Sequence, residues 1–434
     1  MSTTLPLTHI ALVVLCALAC GLLFQRLKQP AVLGYVLAGA VLGSTPFFSL
    51  EGKYVVHVLA ELGVFFLMFL VGLELNLRSF KEVWTKTVRI VVLQFLGSWM
   101  ALLALSFLFG WSLEMSFFLA CVVALSSTAV AIKMLETMGE LTTSTGRITI
   151  GILIAQDLAF VPMVIVIQGL GQEGISYGAL TGKVLLALVI LATVITYLSR
   201  EQRVKLPYVR KAASHPDLRP ILVLSFFFGL GALAGLIGLS AAYGAFLAGL
   251  ILGNTEERHE MVTATQPLQS TLLMTFFLSI GLLVDWHYIL HHWVKISLLL
   301  LLIAGGKTIL NASILHSLKK PWSVSFLGSL MLAQIGEFSF VLADAATDSG
   351  LLQGDERQLV ISLTVLSLVF SPLWVRSARH FQKMGVLQHV GSFKQTLNSV
   401  YEIGEPAVGW VGSLLKNIWE RGQAIARKLI QRRS

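Results

Sequence analysis

Apolar stretches of about the length that crosses a lipid bilayer recur from one end of this sequence to the other, each closed by a short charged or glycine-bearing segment. A spanning helix needs about 20 apolar residues. In hydrocarbon every backbone polar group must be satisfied internally, so only helices and closed barrels can cross. Thirteen candidate spans are read, at about 7–25, 31–48, 55–73, 88–110, 115–133, 148–170, 177–198, 220–238, 240–254, 269–284, 294–314, 322–345 and 358–376. The expectation is an all-α membrane protein with 13 transmembrane helices. Composition agrees, with 56% hydrophobic and 13% charged residues. A soluble domain carries about 25% charged residues, so too little polar surface remains here to coat a globule in water. That argues against a soluble enzyme, a disordered chain and a nucleic-acid binder. Cys16, Cys20 and Cys121 lie in apolar runs without metal-ligand spacing and read as small hydrophobes. The opening MSTTLPL lacks the basic stretch of a signal peptide, so the first span is expected to be retained.

The basic residues give an independent check on the span count. With Arg26 and Lys28 on side one and strict alternation thereafter, side one receives 20 of the lysines and arginines between the spans. Side two receives only Lys53, Lys183, Lys295 and Arg357. One span missed or invented would scramble that division. Positive charge marks the cytoplasmic face, which puts the N-terminus outside, the C-terminus inside, and the protein in a cell inner membrane.

The sequence also repeats itself. Leu37–Gly43 (LAGAVLG) resembles Leu247–Gly253 (LAGLILG), an offset of 210. Gly72-Leu73 matches Gly281-Leu282, and Ser116-Phe117 with Ala124 matches Ser325-Phe326 with Ala333, both at 209. Each match pairs a span with the one seven later. Seven is odd, so spans 1–6 and 8–13 would cross in opposite directions, with span seven as linker. Inverted repeats of this kind build many secondary transporters, with the binding site between the copies near mid-membrane.

Polar groups inside the apolar layer need a reason, since a charge at the bilayer centre costs at least about 2.5–3.5 kcal/mol. Asp157 sits mid-span in RITIGILIAQDLAFVPMVIVI, after Gln156 and five residues before Pro162. An unpaired buried carboxylate is a poor structural device but a good carrier, because it is stable only when it holds a proton or a cation. The other role open to it is a structural hydrogen bond or ion pair. In span five, Ser126, Ser127 and Thr128 can compete for backbone hydrogen bonds and support an unwound turn. Their repeat partner, Gln334-Ile335-Gly336-Glu337 in span twelve, favours a second break facing the first. Glu337 can bind an ion or cap exposed N–H groups, and capping is preferred. Lys307 can pair with Asp157, neutralise helix ends, or snorkel to the inner face. Glu74 is expected to pair with Arg78 at i+4. Glu61 and Asp344, toward the outer side, are open. His287, His291 and His292 cluster in an outer loop and read as solvated rather than metal-binding.

No HExxH, GxSxG, GxxxxGK[ST] or potassium-filter motif is found. The segments GLELNLRSF, ALSSTAVA, ILIAQDLAFVPMV, GLSAAYGAFLAGLILGNTE, FFLSIGLLVD and AQIGEFSFVLADAA occur in that order. They resemble the monovalent cation:proton antiporter-2 family, above all the membrane part of the Kef-type glutathione-gated potassium efflux systems, over roughly residues 7–378. The resemblance implies a homodimer with a sodium/proton-antiporter-like fold containing two crossed discontinuous helices. It implies a scaffold at about 7–73 and 177–284 and a core at about 88–170 and 294–376 that moves like an elevator. By motif match, Asp157 would be the ion- and proton-binding carboxylate and Gln156 its neighbour. Ser126, Ser127 and Thr128 would fall in the first unwound segment, with Glu337, Gln334 and Lys307 in support. No cofactor is implied beyond the transported K+ or Na+ and H+.

Two departures stand out. Gln156-Asp157 replaces the Asn-Asp or Asp-Asp of relatives that exchange charge unequally, so a single carboxylate suggests electroneutral one-for-one exchange. Residues 379–434 contain no GxGxxG, so nucleotide or glutathione gating through an attached Rossmann-type domain is not carried over, and a separate regulatory subunit stays open. That tail places Trp410, Leu414, Ile418, Ile425 and Leu429 at helical spacing among Lys416, Arg421, Arg427, Lys428, Arg432 and Arg433. It is expected to form a basic amphipathic helix, lying either on anionic lipid or on the protein's own inner face. A gated cation channel and a non-transporting sensor on the same fold are the rival functions.

Overall fold

The structure, a computed structural model, describes residues 7–27, 29–44, 50–75, 77–170, 177–199 and 204–383. Among these residues it is helical throughout, apart from one isolated bridge between Val204 and Thr255. The helices of the first half are α1 (Leu7–Arg26), α2 (Ala31–Gly43), α3 (Leu50–Glu74), α4 (Leu77–Phe109), α5 (Leu113–Ala124), α6 (Thr128–Thr137) and α7 (Ser144–Leu170). Next come α8 (Tyr177–Leu198) and the short α9 (Pro207–Ala213). The second half holds α10 (Arg219–Leu236), α11 (Ala241–Gly253), α12 (Arg258–Leu282), the short α13 (Trp286–His291), α14 (Trp293–Ser317), α15 (Trp322–Met331), α16 (Phe338–Asp348) and α17 (Gly354–Lys383). The chain divides into two compact units, Met1–Pro372 and Leu373–Ser434, and the last turns of α17 belong to the second. The remainder of the basic tail lies outside the described residues.

Each of the thirteen apolar runs coincides with a helix, except that 115–133 and 322–345 each fall on two. Six segments among the described residues are long and apolar enough to cross a membrane on length and composition alone. Others, such as α2 and α11, have 13 residues, about 20 Å at 1.5 Å per residue. Helix starts extend beyond the apolar runs. The run at 269–284 belongs to a helix that begins at Arg258, and the run at 88–110 to one that begins at Leu77. Hydropathy finds where a helix meets lipid, not where it begins. Some starts are set by capping: Ser112 Oγ accepts the Met115 N–H at 3.1 Å, Ser240 Oγ that of Tyr243 at 3.2 Å, and Asp285 Oδ1 that of Tyr288 at 3.0 Å, whereas the start at Arg258 has no side-chain cap.

The internal repeat is visible in packing. A Cβ on Gly39 would overlap the carbonyl of Leu278, and one on Gly249 that of Phe69. Residues 39 and 249 differ by 210, and 69 and 278 by 209. The same exchange holds for Gly281 against Val36 and Gly72 against Phe246. The α2–α12 contact and the α3–α11 contact are therefore one contact made twice with the copies swapped, which is the mark of a pseudo-two-fold relation. Only glycine lets these backbones approach so closely. Phe66, Phe69 and Phe227 fill the space beside α11, with ring centroids 5.5–5.9 Å apart. A second group of helices packs separately through α4 with α5 and α7, α14 with α15, and α7 with α16.

Candidate functional site

The first break follows from its hydroxyl residues. Helix α5 ends at Ala124, and Leu125 and Ser127 are extended, at ψ 141° and 115°. Ser127 Oγ then accepts the Val130 N–H at 3.3 Å and so caps α6. The second break, from Leu332 to Glu337, is longer. Its Ile335 N–H donates to Ser367 Oγ at 2.9 Å.

The two breaks touch backbone to backbone. The Gly336 N–H donates to the Leu125 carbonyl at 3.2 Å. Ser126 Oγ donates to the Leu332 carbonyl at 2.8 Å. A Cβ at position 336 would lie 2.8 Å from the Ser126 carbonyl carbon. The motif match of spans five and twelve thus marks one junction where four half-helices meet.

Lys307 enters this junction from α14, 4% exposed. Its ammonium donates to the Leu125 carbonyl at 2.9 Å, Ser126 Oγ at 3.1 Å and the Gln334 carbonyl at 2.8 Å. Of the three roles open to it in the sequence, the contacts are those of a helix-end neutraliser. All three of its donors go to oxygens of the breaks, none to Asp157, and it does not snorkel. Chain breaks expose carbonyl ends with partial negative charge, and Lys307 meets one from each.

Asp157 lies on α7, 8% exposed. Thr128 Oγ1, at the first turn of α6, donates to its carboxylate at 3.1 Å to Oδ2 and 3.3 Å to Oδ1. Glu337 is 6% exposed and is a near electrostatic neighbour of Asp157. Its carboxylate faces the Ser127 hydroxyl and the Ala129 N–H, the contacts of a cap reaching across the crossing. Its Oε2 has no hydrogen-bond partner among the described residues. Gln334 Nε2 donates to the Ser127 carbonyl at 3.3 Å, while its Oε1 is likewise unpartnered.

Gln156 faces the other way. Its Oε1 accepts the Ser126 N–H at 3.1 Å and its Nε2 donates to Gln94 Oε1 at 3.0 Å. Gln94 Nε2 donates in turn to Asn311 Oδ1 at 2.9 Å. Gln94 and Asn311 were not singled out by sequence reasoning, which screened the spans for charges and hydroxyls. The signal was there, because an amide in an apolar run is costly unless both its ends are bonded.

Most of the remaining polar residues lie apart from the junction, although Glu74 acts electrostatically on Asp157. Arg258 lies beside Glu74: it donates to the Glu74 carbonyl at 3.1 Å and acts on its carboxylate. The side chains of Glu61 and Arg78 lie outside the described residues. Asp344 pairs with Arg357 at 3.0 Å. His287 and His291 stack with centroids 6.1 Å apart, and among the described residues no group of three or more metal-ligating side chains converges. Asp344 and Arg357 line a cavity of about 890 Å³ with Lys183, Gln168, Val164 and Phe340. Between the cavity's Val164 and Asp157, one helical face of α7 carries Phe160, which stacks on Phe338 with centroids 4.7 Å apart.

Two buried acids, Asp157 and Glu337, are neighbours at the junction. The helix ends are occupied by Lys307 and Glu337, the amide of Gln156 is spent on its neighbours, and Asp157 has one hydroxyl donor. Such a carboxylate can take up a proton or a dehydrated cation.

Residues 10–377 match the sequence profile of the transmembrane sodium/hydrogen exchangers. The chain is 42% identical to the iron transporter MagA of Paramagnetospirillum magneticum, over 91% of this chain and 90% of that protein. It is 30% identical to K(+) efflux antiporter 5 of Arabidopsis thaliana, over 88% of this chain and 68% of the relative. It is 29% identical to K(+) efflux antiporter 6 of the same plant, spanning 64% of its length. Its fold is similar to that of the sodium proton antiporter MjNhaP1 from Methanocaldococcus jannaschii, with a TM-score of 0.63 at 13% identity, covering 85% of this chain and 98% of that one.

Proposed function

Because this chain belongs to the transmembrane sodium/hydrogen exchanger family, in its Kef-type branch, we propose that it exchanges a monovalent cation, potassium ahead of sodium, for a proton. It is a multi-pass membrane protein and a transporter by family rather than an enzyme. The reading adds thirteen spans, two inverted copies, an external N-terminus, a cytoplasmic C-terminus and a bacterial-type inner membrane. It adds a homodimer built on the scaffold helices α1–α3 and α8–α12. The core would carry α4–α7 and α14–α17 past it as an elevator.

One observation carries the proposal: Asp157 is buried at the crossing of two helix breaks with a single hydroxyl partner, while Lys307 is committed elsewhere. Facing outward, Asp157 takes a proton. Facing inward, it releases that proton and binds the cation. An empty carboxylate is costly to move through low dielectric, so the core crosses only when loaded. The Phe160–Phe338 stack would close the site from the cavity above it.

The 42% identical iron transporter supports a second reading, transport of iron. A ferrous ion would demand more charge than this junction offers. Asp157 and Glu337 against Lys307 sum formally to one negative charge, which suits one monovalent ion. Purified protein in liposomes containing a pH dye separates the readings. Addition of potassium or, less effectively, sodium is expected to alkalinise or acidify the lumen according to the gradient, with no response to ferrous iron. Single-channel currents without proton movement would replace the proposal with a channel. Proton movement on iron addition alone would replace it with the second reading.

A further inference from the structure

The amide chain behind Gln156 has a direction. Asn311 Oδ1 accepts from Gln94 Nε2, and Gln94 Oε1 accepts from Gln156 Nε2, at 2.9 and 3.0 Å. The Ser126 N–H can only donate, so the oxygen of the Gln156 amide faces it at 3.1 Å and the nitrogen is left to Gln94, which with Asn311 holds that end of the amide in place. All three amides are nine-tenths or more buried, with Gln94 2%, Gln156 1% and Asn311 3% exposed. They link α4, α7 and α14. A flipped Gln156 would set oxygen against oxygen at Gln94 and nitrogen against N–H at Ser126, losing both bonds.

We propose that Gln94 and Asn311 are positioning residues that set the cation affinity and alkali-ion selectivity of the Asp157 site. They do so by anchoring the nitrogen end of the Gln156 amide, and with it the position of the oxygen that holds the first helix break. The proposal rests on Asp157 being the carrier. With the chain intact, Gln156 Oε1 is consumed by Ser126 and the unwound segment is pinned one residue before Ser127 and two before Thr128, the donor to Asp157. A cation then meets the Asp157 carboxylate and the Thr128 hydroxyl with the first break held in place. Without the chain, Gln156 can rotate, offer its oxygen to the cation and release Ser126. Small and large alkali ions respond differently to that extra flexible ligand. The three side chains are neutral, so the charge at the junction, and with it the exchange of one cation for one proton, stays the same.

The test uses full-length protein in liposomes, reading half-saturating potassium, half-saturating sodium and maximal rate for Gln94→Leu, Asn311→Leu and the double variant. Each single variant is expected to shift half-saturating potassium about threefold or more and to change the potassium-to-sodium ratio, with maximal rate within about twofold. The double variant is expected to shift no further than Gln94→Leu alone, since contacts in one network are not additive. Should Gln94→Leu not fold, Gln94→Met, closer in length, carries the same comparison. Unchanged half-saturation and ratio would overturn the proposal. So would additive shifts, which mark two separate packing faults, or a fall in maximal rate alone. Asp157→Asn runs beside them: normal exchange by that variant defeats the carrier reading itself, whereas its silence beside unaffected Gln94 variants defeats only the positioning role.

Discussion

Three protein oxygens hold the Lys307 ammonium, and two of them are backbone carbonyls at broken helix ends. Removing the donor leaves the Gln334 carbonyl buried without it, at about 1–3 kcal/mol, and takes from the Leu125 carbonyl one of two donors, the Gly336 N–H remaining. Lys307→Met is therefore expected to lower the thermal stability of the detergent-solubilised protein by a few kcal/mol. An unshifted melting temperature would show that the carbonyls find other donors. Ser127 has a smaller share, as the cap on α6 through Val130. Ser127→Ala should cost about 0.5–2 kcal/mol, read by the same melt. Asp157 differs from both, because among the described residues only the Thr128 hydroxyl bonds to it. Asp157→Asn keeps a group of the same size that can still accept from Thr128, so it should melt near wild type while exchange is lost.

At the scale of elements, the crossing of α5–α6 with α15–α16 depends on one residue without a side chain. Gly336→Ala drives a methyl into the Ser126 backbone and is expected to lower both folded yield and exchange. Gly306→Ala is the control. It lies on α14 one residue before Lys307, has no atom within 4 Å of an added Cβ, and should stabilise the helix by up to about 1 kcal/mol. Equal tolerance at both positions would deny the close crossing. The positions of the breaks were legible in the sequence, since hydroxyls at 126–128 and a glycine beside polar residues at 334–337 leave a local chemical trace. The repeat was legible for the same reason: glycines at 39, 72, 249 and 281 record backbone contacts. The partner of Lys307 was not, because which buried oxygens a flexible ammonium reaches depends on how four half-helices meet. Helix starts at Leu77 and Arg258 escaped a reading that followed hydropathy. Gln94 and Asn311 lie 217 residues apart, and no local pattern joins them.

For the whole molecule, the charges at the junction decide how voltage acts. Asp157 and Glu337 against Lys307 leave one formal negative charge, which either a proton or one monovalent cation cancels. On the proposed exchange both loaded forms would then be neutral, and a membrane potential, which does about 2.3 kcal/mol of work per charge per 100 mV, would have nothing to move. Exchange in liposomes is expected to be insensitive to an imposed potential. Gln156→Asp, which adds a second acid, should make it sensitive. Voltage-dependent exchange by the wild type would put the charge count in error. Beneath these expectations lies the competition of two ions for one carboxylate, and proton release reads it without any transport step. Purified protein in weakly buffered detergent is titrated with potassium near the midpoint of its activity-pH profile, and the protons set free are counted. A saturable release of up to about one proton per protomer is expected, absent in Asp157→Asn. Release of the same size by that variant, or cation binding with no proton set free by the wild type, would contradict it.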